Sequence, residues 1–504
     1  MMKEDRFLAR AAALANLMLV AVAIGSALVF CFFFYHYGWT GQRSFSSWRG
    51  VIVYYVAPAL LVLLALVALR LKADHKVNLA IVGVTLVLSV YVGEVALRLM
   101  EPPLSRARIP IMIALQASEN KQALAARLSS EFGVPIDTRD RLEVITELRA
   151  KGIDAVPAVI PRYQLYHQEQ AGQSFLALGG IANKLTVLCN ESGQQVSYES
   201  DEQGFRNPKG LSQRGAVDIV ALGDSFTQGY CVPTGKDFVD LIRQRHPATV
   251  NLGMAGEGPL LMLATLKEYG AALRPKLVLW FYFEGNDLWD LQEESQSALL
   301  MRYLEDGFGQ NLRGRQDEVD RALLALVEKE KAVEFARREA AKRNRPGVAG
   351  KTVDFLKLPL MRARLGLLKA TGAEEVAVAS QLKDMKLTMF HDILSRAKAS
   401  VGAWGGKLYF VYLPNWTRFD ADREGALDQR MLEGRRDAVL KTVSDLEIPV
   451  IDVLPAFAAG RDPMSLFPFR APGHYAENGH RLVAEAVLEA IAVNGIASAA
   501  RPSE

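Results

Sequence analysis

The sequence predicts an α/β domain with a parallel sheet, which follows three transmembrane helices and carries a long helical insertion. Three apolar runs, each of about twenty residues, lie before residue 101. After residue 214, five short and nearly continuous apolar runs alternate with helical segments. Uninterrupted apolar strands are typical of a parallel sheet covered on both faces, and their alternation with helices predicts a doubly wound sheet with right-handed crossovers.

The length of the chain, 504 residues, exceeds that of one average domain. We expect a three-span anchor over residues 1–100, a lead-in region over 101–213, and an α/β domain over 214–500. A segment with strongly helical character, about 291–403, interrupts this last domain and is predicted to be an insertion. The formal net charge of +3 is small for such a length, so the sequence gives no indication of nucleic-acid binding.

The three apolar runs read LANLMLVAVAIGSALVFCFFFY, VIVYYVAPALLVLLALVAL and VNLAIVGVTLVLSVYVGEVAL. Each has about the length that crosses roughly 30 Å of hydrocarbon as a helix. A signal peptide would explain only the first run, and three buried core helices in succession are the remaining alternative. The sequence therefore predicts a lipid bilayer as a partner, through three spans.

Basic residues are more frequent before the first span and between the second and third than in the first loop. Lys3, Arg6 and Arg10 precede the first span, and Arg70, Lys72 and Lys76 lie between the second and third spans. The first loop has only Arg43 and Arg49. This bias places the N-terminus in the cytoplasm, although Arg106 and Arg108 oppose it. An odd number of spans then predicts a multi-pass protein of the cytoplasmic (inner) membrane with an extracytoplasmic C-terminal domain.

The exterior portion contains two of the three cysteines, Cys189 and Cys231, and Cys31 lies in the first apolar run. In an oxidising compartment Cys189 and Cys231 could form a disulfide, and two free buried thiols fit the sequence equally well. No cysteine has metal-ligand spacing, and we expect neither a metal nor a cofactor.

The lead-in region combines helix-like segments (NKQALAARLSSEF and RDRLEVITELRAKG) with an alternating apolar and polar pattern around TVLCN and QQVSYES. This alternation predicts a β-hairpin. No residue of the lead-in region is predicted to carry chemistry.

Polar or glycine residues follow the predicted strands at the edge where ligands bind in open α/β sheets. The first strand ends in GDSFTQG with Ser225, the second leads to Gly256, the third ends in EGND with Asn286, and GHYAENGH before the last helix contains His474. A nucleophilic serine needs a base within hydrogen-bond reach, and the oxyanion formed on an ester needs preorganised donors. Each motif alone is weak, but their order at successive strand ends predicts an acyl-transfer site.

These four blocks, GDSFTQG, the Gly256 loop, EGND and the GH-x-x-x-x-GH segment, resemble those of the SGNH (GDSL-type) hydrolases over residues 215–292 and 404–492. The resemblance implies a flavodoxin-like, three-layer α/β/α sandwich. It also implies that Ser225 is the nucleophile and His474 the general base. The Ser225 N–H, the Gly256 N–H and Asn286 Nδ2 would form the oxyanion hole, and Asp224 would be structural.

The last block departs from the family, because Ala471 stands where the family has the aspartate that orients the imidazole. Three explanations stay open. Another acceptor, a backbone carbonyl or Asp462, takes this role; Ser225 and His474 work slowly as a dyad; or the site is a binding relic. His480 is a second candidate base, but its place at a helix start favours a capping role.

The resemblance and the expected location together predict a membrane-anchored serine esterase or a related O-acyltransferase. We expect an acylated small molecule or an O-acetylated cell-envelope or exported polysaccharide as substrate, and a membrane acetyl donor or polysaccharide-assembly proteins as partners. The alternative is a non-catalytic binding component of a polysaccharide assembly system.

Overall fold

The computed structural model of the chain describes residues 2–35, 51–99, 111–118, 120–165, 175–213, 216–343, 352, 355–358, 361, 375–420 and 426–493. The chain forms two compact units. One consists of Met1–Glu101 with Lys342–Gln381, and the other of Pro102–Ala341 with Leu382–Glu504. The first unit holds the apolar helices, and the second holds two β-sheets.

The first unit contains apolar helices at Met2–Phe33, Ala57–Ala68 and Ala73–Leu99, and a π-helical stretch, Ile52–Val56, leads into the second of them. Among the described residues, two stretches are long and apolar enough to cross a membrane, Ala9–Phe33 and Ala73–Leu97. The prediction of three such spans is wrong for the middle run. Its helix covers Ile52–Ala68, and 17 residues at 1.5 Å each reach only about 26 Å, which is less than the hydrocarbon core.

The lead-in region forms a small three-stranded sheet. Its strands are β1 (Ala155–Pro157), β2 (Leu185–Cys189) and β3 (Val196–Glu199). Strand β2 pairs in parallel with β1 and antiparallel with β3, which confirms the predicted hairpin. The helices of this region are Ile111–Ala117, Lys121–Phe132, Arg141–Ala150 and Pro161–Leu165.

The larger sheet has five parallel strands. They are β4 (Ile219–Leu222), β5 (Thr249–Asn251), β6 (Leu277–Phe283), β7 (Lys407–Leu413) and β8 (Val450–Asp452). Their spatial order, β5-β4-β6-β7-β8, is the flavodoxin-like order, and all neighbours are parallel. The five predicted strands and the parallel α/β fold class are therefore confirmed.

Helices cover both faces of this sheet, so that the α/β body has three layers. Strand β6 alternates between them: Leu279 and Phe281 join one buried apolar cluster, and Trp280 and Tyr282 join the other. The helices contributing to the first cluster are Phe238–Arg243, Leu454–Ala458 and Glu477–Val493, and those contributing to the second are Pro259–Thr265, Gln316–Arg343, Glu375–Ala403 and Ala426–Asp445.

Short helical segments make up the rest of the described secondary structure in this unit. The α-helical ones are Ser225–Gln228, Ala271–Leu273, Asp287–Glu294 and Ala298–Met301, and Leu266–Gly270 is π-helical. The 3-10 segments are Leu211–Gln213, Arg302–Leu304, Leu312–Arg315, Trp416–Arg418, Pro463–Leu466 and Pro468–Arg470.

The predicted helical insertion over 291–403 is not confirmed as one inserted element. Its two long helices, Gln316–Arg343 and Glu375–Ala403, have apolar stripes that are buried in the sheet cluster. Residues 342–381 belong to the other unit, and most of residues 344–374 lie outside the described part of the chain. Helices of this segment therefore form part of one covering layer of the α/β body.

Candidate active site

Ser225 lies on a tight turn between β4 and the short helix Ser225–Gln228. Asp224 caps that helix, because its Oδ1 accepts a hydrogen bond of 2.9 Å from the Phe226 N–H. Gly223 permits the turn, since a Cβ there would lie 2.1 Å from Thr227 Oγ1. As the first residue of the helix, Ser225 also has an N–H without an intrahelical acceptor.

The His474 imidazole lies against this turn. Its Nε2 is 2.7 Å from Ser225 Oγ, and its ring packs between those of Phe226 and Tyr230, with centroids 4.7 Å away in each case. The two aromatic rings restrict the orientation of the imidazole, so that Nε2 is directed at the hydroxyl.

Glu191, from the lead-in region, occupies the opposite side of His474. Both carboxylate oxygens are 2.9 Å from His474 Nδ1, and Oε2 also accepts a 2.9 Å hydrogen bond from the His474 backbone N–H. An ionised carboxylate can only accept, so Nδ1 carries the proton and Nε2 is left with a lone pair for the Ser225 hydroxyl. This is the arrangement of a Ser-His-Glu triad.

The pKa values of this pair reflect their mutual contact. Burial lowers the pKa of His474, but the charge and hydrogen bond of Glu191 and the charge of Asp224 raise it more, so that it is raised from its ordinary value. Burial raises the pKa of Glu191, but His474 lowers it more, so that it is lowered overall. At neutral pH the carboxylate is therefore ionised and able to stabilise an imidazolium.

Asp462, expected as a substitute for the absent aspartate, does not contact His474. It forms a two-point ion pair with Arg470 on the surface, with Oδ1 2.7 Å from Nη2. Ala471 itself is buried in an apolar cluster with Leu115 and Leu128 of the lead-in helices. A carboxylate at position 471 would lose its hydration there, whereas Glu191 reaches the imidazole from the other side.

His480, the second candidate base, makes its side-chain hydrogen bond with a backbone N–H and not with the Ser225 hydroxyl. It is fully buried, and its Nδ1 accepts a 3.3 Å hydrogen bond from the Phe238 N–H at the start of another helix. Burial, together with the nearby charges of Arg206 and His474, lowers the pKa of His480 to about 3. It is a neutral histidine that contacts the N-terminus of the helix Phe238–Arg243, whereas the sequence predicted a cap of the helix in which His480 itself lies.

Asn286 follows β6, and its side chain faces the serine turn. Its Nδ2 donates to Asp290 Oδ2 at 2.8 Å and makes a weak 3.4 Å contact with Asp224 Oδ2. Asp290 is itself held by an ion pair with Arg162 of the lead-in region. The chain Arg162–Asp290–Asn286 thus fixes the plane of the amide and leaves one of its N–H groups weakly engaged.

Gly256 lies in the loop after β5, which packs on the serine turn through a 3.1 Å hydrogen bond from Met254 N–H to the Gly223 carbonyl. Its φ of +78° favours glycine, and a Cβ at this position would lie 2.7 Å from Ile160 Cγ2. The lead-in region therefore contacts the site on two sides, through Glu191 and through Ile160 and Arg162.

Cys189 and Cys231 form a disulfide with a Cα–Cα separation of 5.4 Å. The sequence left open a disulfide or two free buried thiols, and the structure has the disulfide. The bond joins the end of β2, two residues before Glu191, to the segment just after the serine helix.

Sequence reasoning brought together Ser225 and His474 but missed Glu191, Arg162 and Asp290. No residue of the lead-in region was expected to carry chemistry, and this expectation is wrong for the geometry of the site. One signal was present in the sequence: the cysteine two residues before Glu191 could be linked to the one that follows the serine turn.

Solved structures of several ester hydrolases are similar to part of this chain. A protein described as lipolytic and of the G-D-S-L family, from Desulfitobacterium hafniense, is 13% identical with a TM-score of 0.29, over 54% of this chain and 98% of that chain. A catalytic mutant of an acetylxylan esterase from Geobacillus stearothermophilus is 14% identical with a TM-score of 0.29, over 55% and 95%. A lipase/acylhydrolase from Enterococcus faecalis is 13% identical with a TM-score of 0.29, over 55% and 97%.

No protein-family profile matches the sequence, and no curated protein matches it.

Proposed function

We propose that this chain is a serine esterase of the SGNH type, or a related O-acyltransferase, that forms an acyl-enzyme on Ser225. One observation carries the proposal. Glu191, His474 and Ser225 lie in a hydrogen-bonded line, with 2.9 Å from the carboxylate to Nδ1 and 2.7 Å from Nε2 to the hydroxyl. Both distances are within the range required of a nucleophile, its base and the group that orients the base.

In the first half-reaction, Ser225 Oγ attacks the ester carbonyl carbon while its proton passes to His474 Nε2. The negative charge that develops on the carbonyl oxygen would be stabilised by the Ser225 N–H, the Gly256 N–H and one N–H of Asn286. The C–O bond to the alcohol then breaks, and the leaving alcohol takes the proton from His474. Glu191 stabilises the imidazolium throughout.

In the second half-reaction, water or a sugar hydroxyl attacks the carbonyl carbon of the acyl-serine and gives its proton to His474. The bond from that carbon to Ser225 Oγ then breaks, and Ser225 Oγ takes the proton back from His474. Water yields a free acid, and a sugar hydroxyl yields a new ester. The two outcomes are separated by supplying an acetyl ester with an oligosaccharide and measuring free acetate against acetylated oligosaccharide.

The substrate class that we propose is an O-acetylated cell-envelope or exported polysaccharide, with a membrane acetyl donor or polysaccharide-assembly proteins as partners. This substrate class goes with a second proposal, a location at the cytoplasmic (inner) membrane with the catalytic unit outside. The two apolar helices support the membrane part of this location. Two spans leave the N-terminus and the catalytic unit on the same side of the membrane, so the outside position no longer follows from the charge bias around the spans. The Cys189–Cys231 disulfide supports an oxidising compartment.

The alternative of a non-catalytic binding component had one observation in its favour, the alanine at position 471. A carboxylate at His474 Nδ1 removes the need for an aspartate there. We therefore favour the enzyme.

The direct test of the proposed function is hydrolysis of 4-nitrophenyl acetate by the full chain, together with labelling by a fluorophosphonate. The enzyme is expected to do both. A wild-type protein that is folded and does neither would contradict the proposed function.

The proposed location predicts the result of a reporter experiment. Alkaline phosphatase, which is active only after its own disulfides form, is fused after Glu504 and compared with a cytoplasmic reporter at the same position. Phosphatase activity is expected from the fusion, because the Cys189–Cys231 disulfide in the C-terminal unit supports an oxidising compartment. Activity of the cytoplasmic reporter alone would contradict the location.

The contact between Asn286 and Asp290 predicts a loss of turnover rather than of substrate affinity. Asn286→Ala removes an oxyanion donor and is expected to lower kcat by about 10²–10³-fold. Asp290→Ala leaves the amide unfixed and is expected to lower kcat by about tenfold, with KM nearly unchanged. Steady-state kinetics with the aryl acetate check both.

Glu293→Ala is the matched control. Glu293 also faces Arg162, but at the longer distance of 3.8 Å, and its side chain is 35% exposed, against 1% for Asp290. It is expected to have kcat close to that of the wild type. If Asn286→Ala or Asp290→Ala raised KM with kcat unchanged, their contacts would serve ground-state binding and the assigned role of Asn286 would be wrong.

A further inference from the structure

The Cys189–Cys231 disulfide connects the two halves of the catalytic constellation. Cys189 is the last residue of β2, and Glu191 follows it by two residues in the turn of the hairpin. Cys231 follows Tyr230, whose ring packs on His474 and whose backbone N–H donates to the Ser225 carbonyl at 2.9 Å. The bond therefore covalently joins the segment carrying the acid to the segment carrying the nucleophile.

The backbone at Cys231 indicates that this connection is maintained against a local preference. Cys231 has a φ of +61°, in the left-handed region that non-glycine residues rarely adopt. Such conformations persist where the surrounding structure determines them, and they concentrate near functional sites. Both cysteines are buried with Leu188, Val196 and Tyr198 in a small apolar cluster beside the site.

The opposite side of the hairpin turn is held by the lead-in region itself. Asn190 Nδ2 donates to the Asp137 carbonyl at 2.9 Å, and the Asp137 N–H donates to the Gly193 carbonyl at 2.7 Å. These bonds give the turn its shape, but they do not fix its distance from the serine helix. The disulfide is the cross-link that ties the end of β2 to the segment after the serine helix.

We propose that the Cys189–Cys231 disulfide is a positioning element of the active site, which holds Glu191 against His474, so that full activity requires the bond. The inference rests on the proposed function, because Glu191 matters only if His474 acts as a base. It implies that the chain gains its activity only in a compartment where the bond forms, and that copies held in a reducing compartment are nearly inactive. A misplacement of about 1 Å in a catalytic group can cost on the order of 10²-fold in rate.

The test compares the full-length wild type with Cys189→Ser/Cys231→Ser, using kcat and KM for the aryl acetate. We expect kcat to fall on the order of 10²-fold with KM changed less than about twofold. On a Glu191→Gln background, the same pair of substitutions should add less than about a twofold further loss, because both act through one contact.

The pH dependence of kcat/KM provides a readout that does not depend on how much of the variant folds. The titratable groups around His474 are Glu191, Asp224, Tyr230 and His480. The acid limb is the fall of kcat/KM at low pH, where His474 becomes protonated. Loss of the Glu191 contact lowers the pKa of His474 and should therefore move this limb to lower pH in the cysteine variant, as in Glu191→Gln. If the disulfide were purely structural, its removal would reduce the folded fraction of the protein and leave the acid limb at its wild-type pH.

Val196→Ala is the packing control, since Val196 lies opposite Cys189 in the hairpin and in the same apolar cluster. It is expected to keep the wild-type acid limb and a kcat within about threefold, because it trims one side chain of the cluster and leaves both the disulfide and the Glu191–His474 contact in place. A cysteine variant with wild-type kcat and limb, or an equal loss in Val196→Ala, overturns the proposal. An inactive wild type would instead contradict the proposed function, so that the two failures are distinguishable.

Discussion

Replacing Ser225 with alanine is expected to abolish fluorophosphonate labelling and to lower kcat for an aryl acetate by about 10⁶-fold, the size of the loss in a well-studied serine protease. The Ser225 hydroxyl is the group to which His474 Nε2 is directed at 2.7 Å, and no acyl-enzyme can form without it. Gel-based labelling and steady-state turnover measure the two effects independently.

Ser197→Ala provides the control for this experiment. Ser197 lies on β3 of the lead-in hairpin, where it pairs with Val187, and its side chain is exposed. Its variant should be labelled and should turn over substrate like the wild type. Equal labelling of the wild type and Ser225→Ala would mean that another residue is the nucleophile.

Glu191→Gln is expected to lower kcat by about 10⁴-fold, by analogy with the loss of the carboxylate in known Ser-His-Asp triads. The glutamine preserves the shape of the side chain but carries no charge to stabilise the imidazolium. It can also present an N–H to Nδ1, which would favour the wrong tautomer of His474. KM should change little, because the carboxylate acts on the transition state.

Asp462→Asn is the matched comparison, since Asp462 is the carboxylate that the sequence proposed for the same role. It pairs with Arg470 at the surface, so its loss should leave kcat within about twofold, as is usual for an exposed ion pair. A collapse of kcat in Asp462→Asn with full activity in Glu191→Gln would reverse the assignment.

The sheet of the α/β body was predictable because its strands carry a local signal. Each of the five reads as a short, uninterrupted apolar run that ends in Gly, Asn, Asp or Pro, and parallel pairing brings those ends to one edge. This is why Ser225, Asn286 and the Gly256 loop could be placed near one another from the sequence.

Glu191 could not be found in the same way, because it lies 283 residues from His474 and outside the strand pattern. A glutamate in the polar turn of a hairpin carries no local mark of catalysis. Only the tertiary packing of the lead-in region on the serine turn brings Glu191 to His474. The nearby Cys189 gave a hint, because a disulfide to Cys231 would join this hairpin to the serine turn.

The apolar runs and the insertion show a second limit of local patterns. Hydropathy indicates which segments avoid water, but the middle run forms a helix shorter than the two that flank it. Likewise, helical periodicity in residues 316–343 and 375–403 predicts helices correctly, but cannot tell an inserted lid from a layer packed on the sheet.

The most direct test of the central proposal, that Glu191 replaces the absent aspartate at position 471, is the pH dependence of kcat/KM. The neutral imidazole is the active form, so activity falls as the pH drops through the pKa of His474, which Glu191 raises. Removing the charge lowers that pKa, and the acid limb of Glu191→Gln should therefore lie at lower pH than that of the wild type and of Asp462→Asn. An acid limb that stays in place in Glu191→Gln, or moves in Asp462→Asn, would contradict the proposed triad.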